Sequence, residues 1–313
     1  MKKIYLIIVI ISFFTEKSLW AQQDMLLSRY MFDGITINPA YAGSHEALSA
    51  TLLVRERWAD IEGAPSTTMF SVHSPLGQSI AGGFLVIRDK LGISERLGYH
   101  AMGVYRIALK KETDNTKQKT TLAFGIQVGT INSRYNFESL EAKDPFDVVL
   151  ADGNLNASTF TFGAGTYLYT TKWYIGLSAP RISLSTFGLG AEVAVDDAAQ
   201  NILLNAGYVF GLTNFLKIKP NFLLRIQEAT PTRYNLNLNL LLKNRIWIGG
   251  SYRSQDSINL LAQLQITPQL QFAYAYDAYA FSERNNFTVG SHEFSVNYRL
   301  SFFKKKVIEP SLF

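Results

Sequence analysis

Over residues 234–240 the chain reads Tyr-Asn-Leu-Asn-Leu-Asn-Leu, an alternation of period two whose apolar half is leucine and whose polar half is asparagine. Successive side chains of an extended strand point to opposite faces. Leu236, Leu238 and Leu240 therefore share one face, and Asn235, Asn237 and Asn239 the other. Asparagine is a poor strand former, and a face turned to bulk water would more usually carry Thr, Lys or Glu. A leucine ladder backed by uncharged amides suits a wall with lipid outside and a crowded, hydrated interior. The division recurs downstream. Ile258, Leu260, Ala262, Leu264 and Ile266 oppose Asn259, Gln263 and Gln265, while Leu270, Phe272, Tyr274 and Tyr276 oppose Gln271 and Asp277. Phe294, Val296, Tyr298, Leu300 and Phe302 oppose Glu293, Ser295, Asn297, Arg299 and Ser301, with aromatics near both ends as in an interfacial girdle. Over 216–226 the inward set is Lys217, Lys219, Asn221 and Arg225, and Pro220, which lacks a ladder donor, predicts a bend or bulge.

The periodicity predicts strands near 46–56, 66–74, 80–88, 98–109, 119–132, 158–169, 172–180, 200–211, 215–227, 232–242, 245–254, 257–266, 269–277 and 291–303. Their number is even, as in single-chain bacterial outer-membrane barrels. Links at 75–79, 170–171, 212–214, 243–244 and 267–268 are short, with 110–118 a charged exception, whereas 133–157, 181–199 and 278–290 are long. Short periplasmic turns alternating with long surface loops have this order. The expected fold class is all-β: a transmembrane outer-membrane β-barrel of about 14 antiparallel strands with an N-terminal periplasmic or plug segment.

The start of the chain agrees. Lys2 and Lys3 precede an apolar run over 4–14 and then Trp20-Ala21-Gln22, the layout of an export signal cleaved after Ala21. The expected divisions are a signal peptide at 1–21, a periplasmic or plug segment at 22–45, the barrel at 46–303 and a periplasmic tail at 304–313. The absence of cysteine removes lipidation after the signal, disulfides and thiolate metal sites. Taking three lysines and Glu16 away with the signal lowers the formal charge from +5 to +3, too little to argue for nucleic acid.

Candidate chemistry is sparse. His45, His73, His100 and His292 have no helical pairing, and no zinc motif accompanies them. Ser291-His292-Glu293 lies on a strand, where His292 points away from both neighbours and the three form no local triad. No G-x-S-x-G elbow is present. Catalytic, cofactor and metal residues are therefore expected to be absent, and the chain is read as a non-enzyme. The inward Lys217, Lys219, Arg225, Arg245 and Arg253 suit either anionic ligands in a lumen or ion pairs that fill it. Loop residues Asp144, Asp147, Asp152, Asp196 and Asp197 give local acidity, most simply a solvated surface.

Just before the first strand stands Asn38-Pro39-Ala40-Tyr41-Ala42-Gly43, followed by Arg57-Trp58, Gly63-Ala64-Pro65, Asp89 to Gly92, Tyr274 to Asp277 and Ser291-His292-Glu293. In these blocks and their order the chain resembles the PorP/SprF family of type IX secretion system membrane proteins of the Bacteroidetes. The resemblance implies location in the cell outer membrane and association with the secretion or gliding machinery. It further implies binding, anchoring or export of a specific surface adhesin through that adhesin's C-terminal sorting domain, and contact with periplasmic motor or peptidoglycan-linked components. The alternative is a diffusion channel for small or amphipathic solutes. The residues expected to form the structural or partner-binding motif are Asn38, Pro39, Tyr41, Gly43, Arg57, Trp58, Asp89, Asp277, His292 and Glu293. Asn38-Pro39 fixes a turn, with Tyr41 and Gly43 packing against the barrel mouth. Trp58 suits an interfacial anchor and Arg57 a partner for a loop carboxylate.

Overall fold

A computed structural model describes residues 27–58, 61–110, 119–137, 155–183, 201–227, 230–254, 257–279 and 290–301. The expected signal, the tail and most of the three long links, with their five loop aspartates, lie outside the described residues.

The strands are β1 (Leu48–Arg57), β2 (Ser66–Pro75), β3 (Ile80–Leu91), β4 (Ser94–Lys110), β5 (Thr120–Tyr135), β6 (Leu155–Tyr169) and β7 (Trp173–Ser183). There follow β8 (Asn201–Tyr208, resumed at Phe210–Gly211), β9 (Leu216–Gln227), β10 (Arg233–Leu242), β11 (Ile246–Arg253), β12 (Ser257–Gln265), β13 (Leu270–Tyr279) and β14 (Ser291–Leu300). Each pairs antiparallel with its chain neighbours, and β1 pairs with β14 from Leu48↔Leu300 to Arg57↔Ser291, so the sheet closes and leaves no edge. The all-β, fourteen-stranded barrel is the architecture that the alternation predicts.

Side-chain burial is inverted relative to a soluble protein. Leu236 and Leu238 on the outer wall are 50% and 52% exposed, whereas Asn237 between them is 5% exposed. Leu260, Ile126, Phe160 and Phe294 are likewise exposed outside, and Asn259, Gln127 and Ser295 are buried within. An apolar surface that wraps the whole cylinder is explained by contact with hydrocarbon rather than water.

The structure departs from the sequence reading in two places. β3 and β4 run on to a link of two residues, Gly92 and Ile93, where the pattern left 89–97 open. Pro220 makes no bulge: Leu216↔Leu242 to Arg225↔Arg233 is unbroken, and on the other side the register to β8 is the same before and after its interruption at Val209. The register shift attached to a proline is elsewhere, between Phe162/Ala164 of β6 and Ile182/Ala179 of β7, at Pro180.

Candidate functional site: the lumenal segment and its walls

Inside the cylinder lie residues 27–47, nearly all buried, with short 3-10 turns at Gly34–Thr36 and Pro39–Tyr41. Two apolar contacts seat this plug. Leu27, Ile35, Ala40, Tyr41 and Ala42 pack on Leu53, Met69, Leu85 and Met102 and on Tyr167 and Tyr174, while Tyr30, Met31, Phe32 and Ile37 pack on Leu203, Leu223, Leu241 and Trp247. Phe32 meets Trp247 edge-on with ring centroids 5.3 Å apart. Burying side chains of this size is worth about 2 kcal/mol each.

The motif before β1 is the tightest part. Asn38 caps the second turn: its Oδ1 accepts from Ala40 N at 2.9 Å, and its Nδ2 donates to the Thr166 carbonyl of β6 at 2.9 Å. Pro39 occupies the first position of that turn, where its missing N–H is no loss. The Tyr41 hydroxyl lies 2.8 Å from His45 Nε2, and its ring stands edge-on to His73 and Tyr167. Gly43 takes φ +79°, its N–H donates to His73 Nδ1 at 3.1 Å, and its carbonyl accepts from Arg106 Nη1 at 3.1 Å. Beneath Asn38, Pro39 and Ala40 the wall is stripped of side chains. A Cβ at Gly125 of β5 would overlap the Ala40 backbone, and one at Gly165 of β6 would overlap the Asn38 amide.

At its other end the plug is held by charge. Ser28 Oγ donates to Asp277 at 2.6 Å, with the second carboxylate oxygen 2.8 Å away, and Ser28 N donates to Glu293 Oε2 at 2.9 Å. Arg55 of β1 pairs with both carboxylates, by a short contact to Asp277 and at 3.3 Å to Glu293, and Arg253 stands 3.9 Å from Asp277. All of these groups are buried. Between the two ends Arg29 Nη2 donates to Gln263 Oε1 at 2.7 Å, Lys219 Nζ donates to the Met31 carbonyl at 3.0 Å, and the Asn237 amide meets the Tyr30 hydroxyl. Burial pushes the Asp33 carboxyl above its ordinary range against the hydrogen bonds of Thr51 and Ser71 and the charge of Arg29. Burial pulls the Arg29 guanidinium down against Glu293 and Asp33.

Nine of the ten expected motif residues therefore fall into three groups. Asn38, Pro39, Tyr41 and Gly43 lie in the plug, and Asp277 and Glu293 share the Arg55–Ser28 knot. Arg57 lies at the first long-loop rim within electrostatic reach of Asp89, which also accepts from Thr67 Oγ1 at 2.6 Å. Beside it Trp58 takes φ +48°, and its carbonyl accepts from Ile61 N at 2.9 Å. His292 joins no other member. It lies on the outer wall, where its Nδ1 is 2.8 Å from the Tyr274 hydroxyl.

Sequence reasoning passed over Ser28, Arg55, Gly125 and Gly165. Arg55 faces Glu293 directly across the β1–β14 seam, a pairing that becomes visible once the first and last strands are set side by side. Gly125 lies in phase with Ala123 and Gln127 on the inner face, so a missing side chain in the lumenal phase was the available signal. Among the described residues no three His, Cys, Asp or Glu side chains gather as metal ligands. What the lumen offers is ion pairing, hydrogen bonding and close packing.

Solved structures of similar shape include the outer membrane protein Omp33 of Acinetobacter baumannii, at 10% identity over 82% of this chain and 100% of that chain with a TM-score of 0.44. The CymD monoaromatic hydrocarbon channel matches at 12% identity over 87% of this chain and 93% of that one with a TM-score of 0.46, and the KdgM porin at 8% over 80% and 98% with a TM-score of 0.38. These are likenesses of fold alone. A search of curated proteins gives no significant match. A family model described as type IX secretion system membrane protein PorP/SprF matches residues 19–298. With most of its length so matched and its wall built as a closed, lipid-facing cylinder, the chain belongs to the PorP/SprF family of type IX secretion system membrane proteins and resides in the outer membrane.

Proposed function

We propose that this barrel is a non-enzymatic partner of secretion, which binds a specific cell-surface adhesin through the adhesin's C-terminal sorting domain and anchors it or helps export it. Its short-turn side meets periplasmic motor or peptidoglycan-linked components. The single observation that supports this over solute diffusion is the occupied lumen: residues 27–47 fill it, fastened by the Ser28 knot at one end and the Asn38 cap at the other. A pore for solutes must move that segment first, whereas a docking platform gains rigidity from it. The long-loop rim, with Arg57, Trp58 and Asp89, is the contact face in this reading.

Native envelopes provide the test. The adhesin's terminal domain co-elutes with the barrel in detergent, and deletion of the barrel strands that adhesin inside the cell. Normal surface display in the deletion strain rejects the role in transport. Steady solute-sized current through the purified barrel in a planar bilayer favours the channel instead.

A further inference from the structure

The plug has a direction. Its first residues are tied to one rim of the barrel: Ser28 bonds Asp277 and Glu293, and its Oγ accepts from Arg55 Nη1 at 3.1 Å and from Asn259 Nδ2 at 3.4 Å. Asp277 stands two residues before the end of β13 and Arg55 two before the end of β1, while Glu293 and Asn259 stand two after the starts of β14 and β12. All four therefore lie at one level, just below the rim that carries the long link from β13 to β14.

From there the chain descends. The Asn237 amide meets Tyr30 halfway along β10, and Ser178 Oγ, in the middle of β7, donates to the Ile37 carbonyl. Asn38 bonds Thr166, three residues from the short-turn end of β6, and the Gly43 carbonyl accepts from Arg106, which also donates to Gly77 O at 2.6 Å in the turn between β2 and β3. β1 then starts at Leu48 on the short-turn side and climbs until Arg55 meets Ser28 again. Plug and first strand are the two arms of one hairpin, one arm in the lumen and the other in the wall.

A chain that descends from Ser28 arrives at Ser28 from the long-loop side. Leu27 borders a cavity lined also by Arg181, Asn201, Leu203 and Arg225, and this cavity lies at the same rim: Asn201 opens β8, and Arg181 and Arg225 stand two residues before the ends of β7 and β9. Below Leu27 the lumen is filled by the plug's own contacts with the wall. A second pass of chain toward the short turns would have to displace those side chains, at about 2 kcal/mol each.

We propose that the polypeptide enters the lumen through the long-loop mouth, so that the residues on the N-terminal side of Leu27 are displayed at the cell surface and belong to the face open to extracellular partners. The periplasmic side receives only the reversal at Gly43–Ala47. The inference rests on an orientation with the long loops outside and not on the identity of any cargo.

The chain has no cysteine, so single thiols report on single places. Gln23→Cys is compared in intact cells with two exposed controls, Glu62→Cys in the link from β1 to β2 and Asn214→Cys in the short turn after β8, using a membrane-impermeant maleimide. The expected result is that Gln23→Cys and Glu62→Cys take up the label before the outer membrane is opened, with no further gain afterwards, and that Asn214→Cys takes it up only afterwards. Labelling of Gln23→Cys that waits for permeabilisation, or its failure to label beside a labelled Glu62→Cys, overturns the proposal and leaves the proposed role of the long-loop rim standing. Controls that respond in the opposite order overturn both, because the barrel is then inverted.

Discussion

Gly125→Ala is the smallest change that tests whether the plug is seated by shape. The added methyl would fall on the backbone of Ala40, which has no rotamer through which to move away, so the segment 38–42 must lift from β5. Overpacking a rigid site costs about 3 kcal/mol, the upper part of the usual range. At about 1.4 kcal/mol per factor of ten, the unseated population rises on the order of 100-fold. Single-channel recording in a planar bilayer reads that population as the frequency of openings. Gly103→Ala is the matched control, since Gly103 is exposed on the outer wall and a Cβ there meets only Ile126, at 4.0 Å. The reasoning predicts frequent openings for the first variant and the rare openings of the parent for the second. If the two glycine variants behave alike, or Gly125→Ala leaves openings unchanged, the close approach of Ala40 does not hold the plug.

Other changes probe the remaining contacts. Arg55→Met leaves Asp277 and Glu293 buried without their main cation and should destabilise the barrel by about 3–5 kcal/mol in a urea titration, with partial recovery when Asp277→Asn and Glu293→Gln are added. His292→Phe on the lipid face should shift stability by no more than about 0.5 kcal/mol, and a large loss would place that side chain indoors. Asp33 has a raised folded pKa, so its contribution to stability is complete below the ordinary carboxylate value and declines as pH rises through the folded value. Asp33→Asn should flatten that decline in thermal unfolding measured from acid to neutral pH, and an unaltered slope would assign it to other groups.

The wall was legible in the chain and the plug largely was not, for a physical reason. Strand periodicity is local: Leu236, Asn237 and Leu238 declare their faces within three residues, whatever lies beyond. Plug contacts are distant. Asn38 meets Thr166 and Ser28 meets Glu293, separations of 128 and 265 residues that no window reveals. The Asn38-Pro39 turn could be read because proline fixes local geometry, but Gly125 beneath it resembled any strand glycine. The bulge that Pro220 suggested is absent, because the loss of one ladder donor need not change the register of the strands on either side.

The Ser28 knot also bears on biogenesis. Its partners are drawn from β1, β13 and β14, the first strand and the last two, so it forms only after the wall has been laid down and joined. An unfinished cylinder therefore lacks this clamp even where the Asn38 turn has already seated on β5 and β6, and the knot itself certifies that assembly has ended.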